Sequence, residues 1–180
     1  MNIFKLDQSP IVSAQMMCDK HVVKMIVETA QLLSTAHRIL DGQLYLDKTK
    51  NNRKIKRYLL SDTREETLYK ASHINHPCNI WVRQTNNNYI WLYCHFDALC
   101  EEYTFRYKKI HSTEQKLLDI LSIPPYNINV GPLMPLPQAM PEKYKQASVV
   151  EAYRAYYLGE KTSFAKWTNR EIPKWFRKNI

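Results

Sequence analysis

The stretch Asp19–Leu40, DKHVVKMIVETAQLLSTAHRIL, decides the fold. It contains neither proline nor glycine, and Val22, Val23, Ile26, Ala30, Leu33 and Leu40 recur along one side at helical spacing. That pattern predicts a long amphipathic helix, stopped at Asp41-Gly42. Each helical residue turns the chain by about 100°, so residues seven apart nearly superpose. His21, Glu28 and Thr35 therefore form one polar row. Lys24, Gln31 and Arg38 form the next, with Lys20 beside it. Lys24 and Glu28 are four apart and within reach of each other. One reading of this stripe is a solvated face with a weak ion pair. The other is a site where cations meet phosphates, a carboxylate assists proton transfer or stabilises positive charge, and an amine attacks.

Working outward, Ser9-Pro10 reads as the cap and first turn of a short opening helix. After Gly42 comes a basic segment with Lys48, Lys50, Arg53, Lys54, Lys56 and Arg57, suited to phosphate contact. Ser61 or Asp62 is placed to cap a helix through Leu68. A second long helix is predicted from Pro77 past Tyr103, with Trp81, Thr85, Leu92, Phe96, Leu99 and Tyr103 on one side. The first long helix should pack against it through Val22, Ile26 and Leu33. His76 before Pro77 suits a helix cap, and also a DNA contact. Thr113–Leu121 reads as a short helix ended by Pro124-Pro125. Prolines then crowd the chain to Pro141, giving an irregular loop anchored by Tyr126, Ile128, Leu133, Met134 and Leu136. Ser148 caps a helix through Lys166, and the tail carries Trp167, Trp175 and Phe176. The whole predicts an all-α fold in one domain with a proline-rich loop.

Only three glycines occur in the 180 residues. That disfavours a turn-rich all-β fold and leaves no glycine-rich phosphate loop. The four cysteines, Cys18, Cys78, Cys94 and Cys100, form no CxxC pair. His73, His76 and Cys78, with His95 as a fourth ligand, match no common metal spacing. No metal or cofactor is expected. The formal net charge is +9 and the pI about 9.3, which points to a polyanionic partner: DNA, RNA or an anionic membrane surface. No apolar run approaches the length of a membrane span, and MNIFKLDQSP lacks a signal-peptide core. The expectation is a soluble cytosolic protein whose partner is DNA.

Three segments carry a resemblance: CDKHVVKMIVETAQLL (18–33), NHPCNIW (75–81) and LCEEYTFRY (99–107). Together they resemble the pyrimidine-dimer DNA glycosylases of the endonuclease V type. The likeness is closest to phage relatives that share a KHVVK-like helix, an NHP-W motif and a late YRAYY…KW segment. The resemblance implies a compact helical fold and a catalytic glutamate on the first long helix, which is Glu28. It also implies an N-terminal α-amine that attacks the sugar C1′ and forms a Schiff base leading to strand scission. Here the second residue is Asn2, bulky enough to retain Met1. The family's arginines one before and three after the glutamate are Val27 and Gln31. The Met1 amine and Lys24 are the candidate nucleophiles, with His21 and Gln31 beside Glu28. The resemblance thus implies a glycosylase or lyase on pyrimidine nucleotides. The alternatives are a thymine-hypermodifying enzyme on the same fold and a non-catalytic DNA-binding protein.

Overall fold

The computed structural model describes residues 1–177. In chain order the helices are α1 (Pro10–Gln15), α2 (Asp19–Asp41), α3 (Arg64–Thr67), α4 (Pro77–Val82), α5 (Asn86–Tyr107), α6 (Ser112–Leu121), α7 (Val149–Lys161) and α8 (Lys174–Arg177). Two strands, β1 (Gln43–Lys48) and β2 (Lys54–Leu59), lie between α2 and α3, and one 3-10 turn spans Glu142–Tyr144. The architecture is mostly helical, with a core that draws on residues from Ile3 to Phe176. No helix among the described residues is long and apolar enough to cross a membrane.

Helix α2 is the spine. It packs on α4, α5 and α6, as the apolar spacing predicts, and buries Val22, Met25, Ile26, Ala30, Leu32, Leu33 and Ala36. The buried side is turned slightly from the predicted one: Val23 is 39% exposed and Leu40 only half-buried. The helix ends where Gly42 turns to an extended conformation, and glycine fits there because a side chain would collide with the Arg38 carbonyl. The second long helix is two. Thr85 caps α5 by accepting from the Asn88 amide, so α4 stops at Val82 and the chain turns between them. The start of α5 then grips the proline-rich loop. Asn86 and Asn88 side-chain oxygens accept from the Gly131 and Met134 amides, and Thr85 Oγ1 donates to the Pro132 carbonyl. Leu136 is buried there, but Tyr126, Leu133 and Met134 are exposed. Ile128 and Leu136 pack on the core as predicted, and hydrogen bonds between the α5 side chains and the loop backbone hold the part between them. Helix α7 stops at Lys161 rather than Lys166, whose carbonyl instead accepts from the Asp19 amide at the start of α2. The helix after Asp62 is a single turn that stops at Thr67; the Asp62 carboxylate accepts from the Arg64 amide at its start, as expected.

The basic segment departs most from expectation. It is an antiparallel ribbon, with Gln43 opposite Leu59 and Lys48 opposite Lys54. Asn52, at φ 58°, makes the turn between the strands, a left-handed conformation that asparagine tolerates better than most residues.

Arg38 is also corrected. The helical wheel put it on the polar face and among the DNA contacts, yet it is wholly buried. Residues 58–69 fold over that end of α2 and engage its entire guanidinium. Nε donates to the Tyr69 carbonyl at 2.6 Å. Nη1 donates to the Tyr58 carbonyl and to Glu65 Oε2 at 2.6 Å. Nη2 donates to the Glu65 and Leu68 carbonyls. Arg38 is a latch for the connecting segment and does not reach solvent. Arg38→Met would strand four carbonyls and take the buried cation from a Glu65 carboxylate that keeps Lys70 and the Leu60 amide, so it is expected to cost about 3–5 kcal/mol. That is a fall in Tm of roughly 6–20 °C for a chain of this size. A melting temperature matching the parent protein's would refute the latch.

Candidate active site

Glu28 is in the third turn of α2, and its side chain is 16% exposed. Three groups meet it. Lys24 Nζ lies 3.1 Å from Oε1, the geometry that an i, i+4 pair allows. The Met1 α-amine lies 3.8 Å from Oε2, and the Asn2 amide donates to the same oxygen at 3.4 Å. The N-terminal segment is thus delivered to the carboxylate by tertiary packing.

That segment is held by both its side chains and its backbone. Ile3, Phe4 and Leu6 are buried, Ser13 Oγ bridges the Leu6 amide and the Phe4 carbonyl, and Arg154 Nε donates to the Leu6 carbonyl. Asn2 is clamped more tightly. Its Nδ2 donates to the Ala139 carbonyl at 2.8 Å, while its Oδ1 accepts from the Ile3 amide. The Tyr153 hydroxyl sits 2.9 Å from both Asn2 Oδ1 and the Pro137 carbonyl and donates to one at a time. The Met1 side chain is buried, at 2% exposure, while the residue as a whole stays partly accessible. What Met1 shows to solvent is therefore its backbone end.

His76 caps α4 as its position before Pro77 predicts: Nδ1 accepts from the Cys78 amide at 3.2 Å. That bond assigns the proton of the neutral ring to Nε2. Burial lowers its pKa, as do the positive charges of the Met1 amine and His73, with Glu28 acting against them. His76 therefore belongs to the same electrostatic neighbourhood as the amine and the carboxylate. Cys78 is close by, its Sγ 3.5 Å from Asn2 Oδ1, but burial pushes its thiol up to about 11. It is a packing group and a poor nucleophile at neutral pH.

Other members of the predicted set lie elsewhere. His21 is two turns before Glu28 and buried, its ring 4.5 Å from Phe4 and 5.0 Å from Tyr157. Its Nδ1 has no hydrogen-bond partner among the described residues. It packs with aromatics and is not part of a polar row. Gln31 is half-buried one turn beyond Glu28. Lys20 is at the start of α2, its Nζ 4.8 Å from the Phe164 ring. Lys48, Lys50, Lys54 and Lys56 are exposed on the ribbon, as is Arg53; Arg57 is half-buried and 3.6 Å from Asp47. His95 is turned away to the Pro10 carbonyl. Among the described residues, no three His, Cys, Asp or Glu side chains converge as a metal site would require.

Asn2 and Tyr153 were not legible as site residues. Their roles come from contacts across more than 130 positions, and the only local hint is the apolar Ile3-Phe4 pair that anchors the chain's start.

Neither the curated proteins nor the solved structures compared with this chain gave a match. A model of the family described as pyrimidine dimer DNA glycosylase matches residues 1–115. That span holds Met1, Asn2, Glu28, the His76 cap and all of α5. The chain belongs to the pyrimidine dimer DNA glycosylase family.

Proposed function

We propose that this protein is a DNA glycosylase with lyase activity on damaged pyrimidine nucleotides. In this reading the Met1 α-amine is the nucleophile and Glu28 the central carboxylate. The observation that supports it is the 3.8 Å approach of the amine to Glu28, with the Met1 side chain buried and its backbone end partly accessible. The amine nitrogen attacks C1′ of the target nucleotide, and the C1′–base bond breaks with the electron pair leaving on the base, which takes up a proton. The sugar ring then opens to an iminium. Glu28 stabilises the positive charge that develops on the sugar and assists proton transfer. Lys24, exposed beside it, is the competing amine and also suits a flanking phosphate. The target nucleotide must leave the helix stack to reach an amine held this close to the protein surface.

Borohydride trapping tests the reading. A protein whose first residue is Met1, verified by mass spectrometry, is mixed with duplex DNA carrying an abasic site and reduced. The expected result is a covalent protein–DNA adduct whose peptide map locates the link at Met1. Lys24→Ala should still trap, whereas an acetylated N-terminus should not. Absence of any adduct defeats the amine mechanism. An adduct at Lys24 moves the nucleophile and defeats the Met1 assignment.

A further inference from the structure

The ribbon β1–β2 has features that its own stability does not explain. Residues 43–59 carry six cations and one carboxylate, against a net +9 for the whole chain. Every residue of β1 is exposed, and Leu46 and Leu44 are 69% and 51% exposed. An isolated two-stranded hairpin is marginal in water, so two solvated leucines there bring no folding benefit. The register puts Leu44 opposite Tyr58, Leu46 opposite Lys56, and Lys48 opposite Lys54. All six side chains share one face, because alternate residues point the same way. Like charges directly opposite one another weaken a strand pair. Lys48 and Lys54 are such a pair at the ribbon's last rung, with Lys50 and Arg53 in the adjoining turn. A bound polyanion relieves this repulsion.

The ribbon also connects to the candidate site. A cavity of about 550 Å3 separates β2 from residues 70–74, lined by Lys54, Lys56, Arg57, Lys70 and His73. The His73 carbonyl accepts from the His76 amide, so the cavity's far wall runs directly into the cap beside Met1 and Glu28.

We propose that the ribbon is an arm that lies against duplex DNA next to the target nucleotide. The lysines of its outer face sit on phosphates, and Leu44 and Leu46 rest on the apolar floor of the minor groove or a base step. This rests on the DNA reading above and adds a partner surface to it. Lysine and leucine roles separate experimentally, since only phosphate contacts release counterions. Minor-groove proteins commonly pair basic side chains with an apolar wedge in this way.

The test is fluorescence anisotropy with a labelled duplex, titrated at several salt concentrations. Combined Lys48→Ala, Lys54→Ala and Lys56→Ala should make the slope of log K against log salt shallower by about 2–3, at about 0.9 per lost phosphate contact. Combined Leu44→Ser and Leu46→Ser should keep the parent slope and lower affinity about tenfold or more. Both variants should melt with the parent protein, since the altered side chains are exposed. A lysine variant with the parent's slope overturns the arm while the parent's own binding upholds the DNA reading. A parent protein that does not bind duplex defeats both. Leucine variants that turn a dimer into a monomer at unchanged DNA affinity assign the face to a second copy and overturn the arm. Equal lysine-dependent binding to duplex RNA overturns its assignment to DNA.

Discussion

Glu28→Gln is expected to lower the rate of base excision and of borohydride-trappable adduct formation by about two to four orders of magnitude. The substitution keeps the side chain's length and one acceptor oxygen for the Asn2 amide, and removes the charge. In the proposed reaction that charge faces a cation developing on the sugar, in a setting where the Met1 amine and Lys24 are already on its other flank. Stability should hardly move. The Lys24 partner is 66% exposed, and an ion pair of that kind contributes at most about 1 kcal/mol. Affinity for undamaged duplex should also be retained, because the ribbon lysines are untouched. Single-turnover rates and melting temperatures are measured on the two proteins in parallel. A Glu28→Gln protein with the parent's rate removes the carboxylate from the chemistry. One that loses rate and Tm together makes Glu28 a structural ion-pair partner instead.

Acid should unfold this protein well above the pH at which its carboxylates protonate. Three histidines are buried and neutral in the folded state. Burial, with the Lys161 and Lys24 charges, depresses His21 to about 3. Burial, and then the Arg64 charge, depress His37 to about 4 against the pull of Asp41 and Asp62. Burial depresses His95 to about 4 against the pull of the Pro10 carbonyl. Geometry gives the same direction. His37 Nδ1 lies 2.9 Å from the Arg64 guanidinium, a donor-only group, and its Nε2 faces the Tyr89 hydroxyl at 2.8 Å. A proton on Nδ1 would meet that cation head-on. His21 Nδ1 and His95 Nε2 are enclosed without partners among the described residues. An unfolded histidine takes up its proton near pH 6.5, so these groups contribute fully above that pH and lose stability as pH falls toward 4. Each costs about 1.4 kcal/mol per pH unit over that window. By pH 5 the three together remove about 6 kcal/mol, comparable with the whole stability of many domains. Glu65, which burial raises but Lys70, the Leu60 amide and Arg38 pull down to about 2, adds a further loss only below its unfolded pKa of 4.5. Circular dichroism against pH should show a cooperative transition near pH 5. His95→Gln should flatten the approach to it by one proton. An unchanged Tm between pH 7 and pH 5 would contradict this.

The parts of the fold that were legible in sequence are those set by neighbouring residues. Ser9-Pro10, His76-Pro77 and Ser148 mark helix starts because a cap needs only the next two or three amides. The spine α2 follows from its own periodicity. The break between Val82 and Asn86 was hidden because Trp81 and Thr85 are four apart, a spacing that a continuous helix and a capped restart both satisfy. The ribbon was hidden because its alternation, Leu44 and Leu46 between polar neighbours, points outward, whereas strand patterns are ordinarily read from a buried face. Arg38 shows the limit of a helical wheel: it tells which residues share a side, and nothing of whether another segment lies over that side. The pairing of Lys24 with Glu28 was legible because both are on one helix. The clamp on Asn2 was not, because Ala139 and Tyr153 reach it only after the chain has folded back on itself.

That clamp also sets the order in which the molecule comes into being. Synthesis runs from Met1 onward, so α2 and its Glu28 leave the ribosome long before Ala139, Tyr153 and Arg154 exist to hold Asn2 and Leu6. Until residue 154 has emerged, the amine near the start of the chain has only the Ser13 bridge and the Asn2 amide's bond to Glu28 to hold it near the carboxylate. The two groups are written in the first 28 residues, and the clamp that holds them together is completed from residues 137–154.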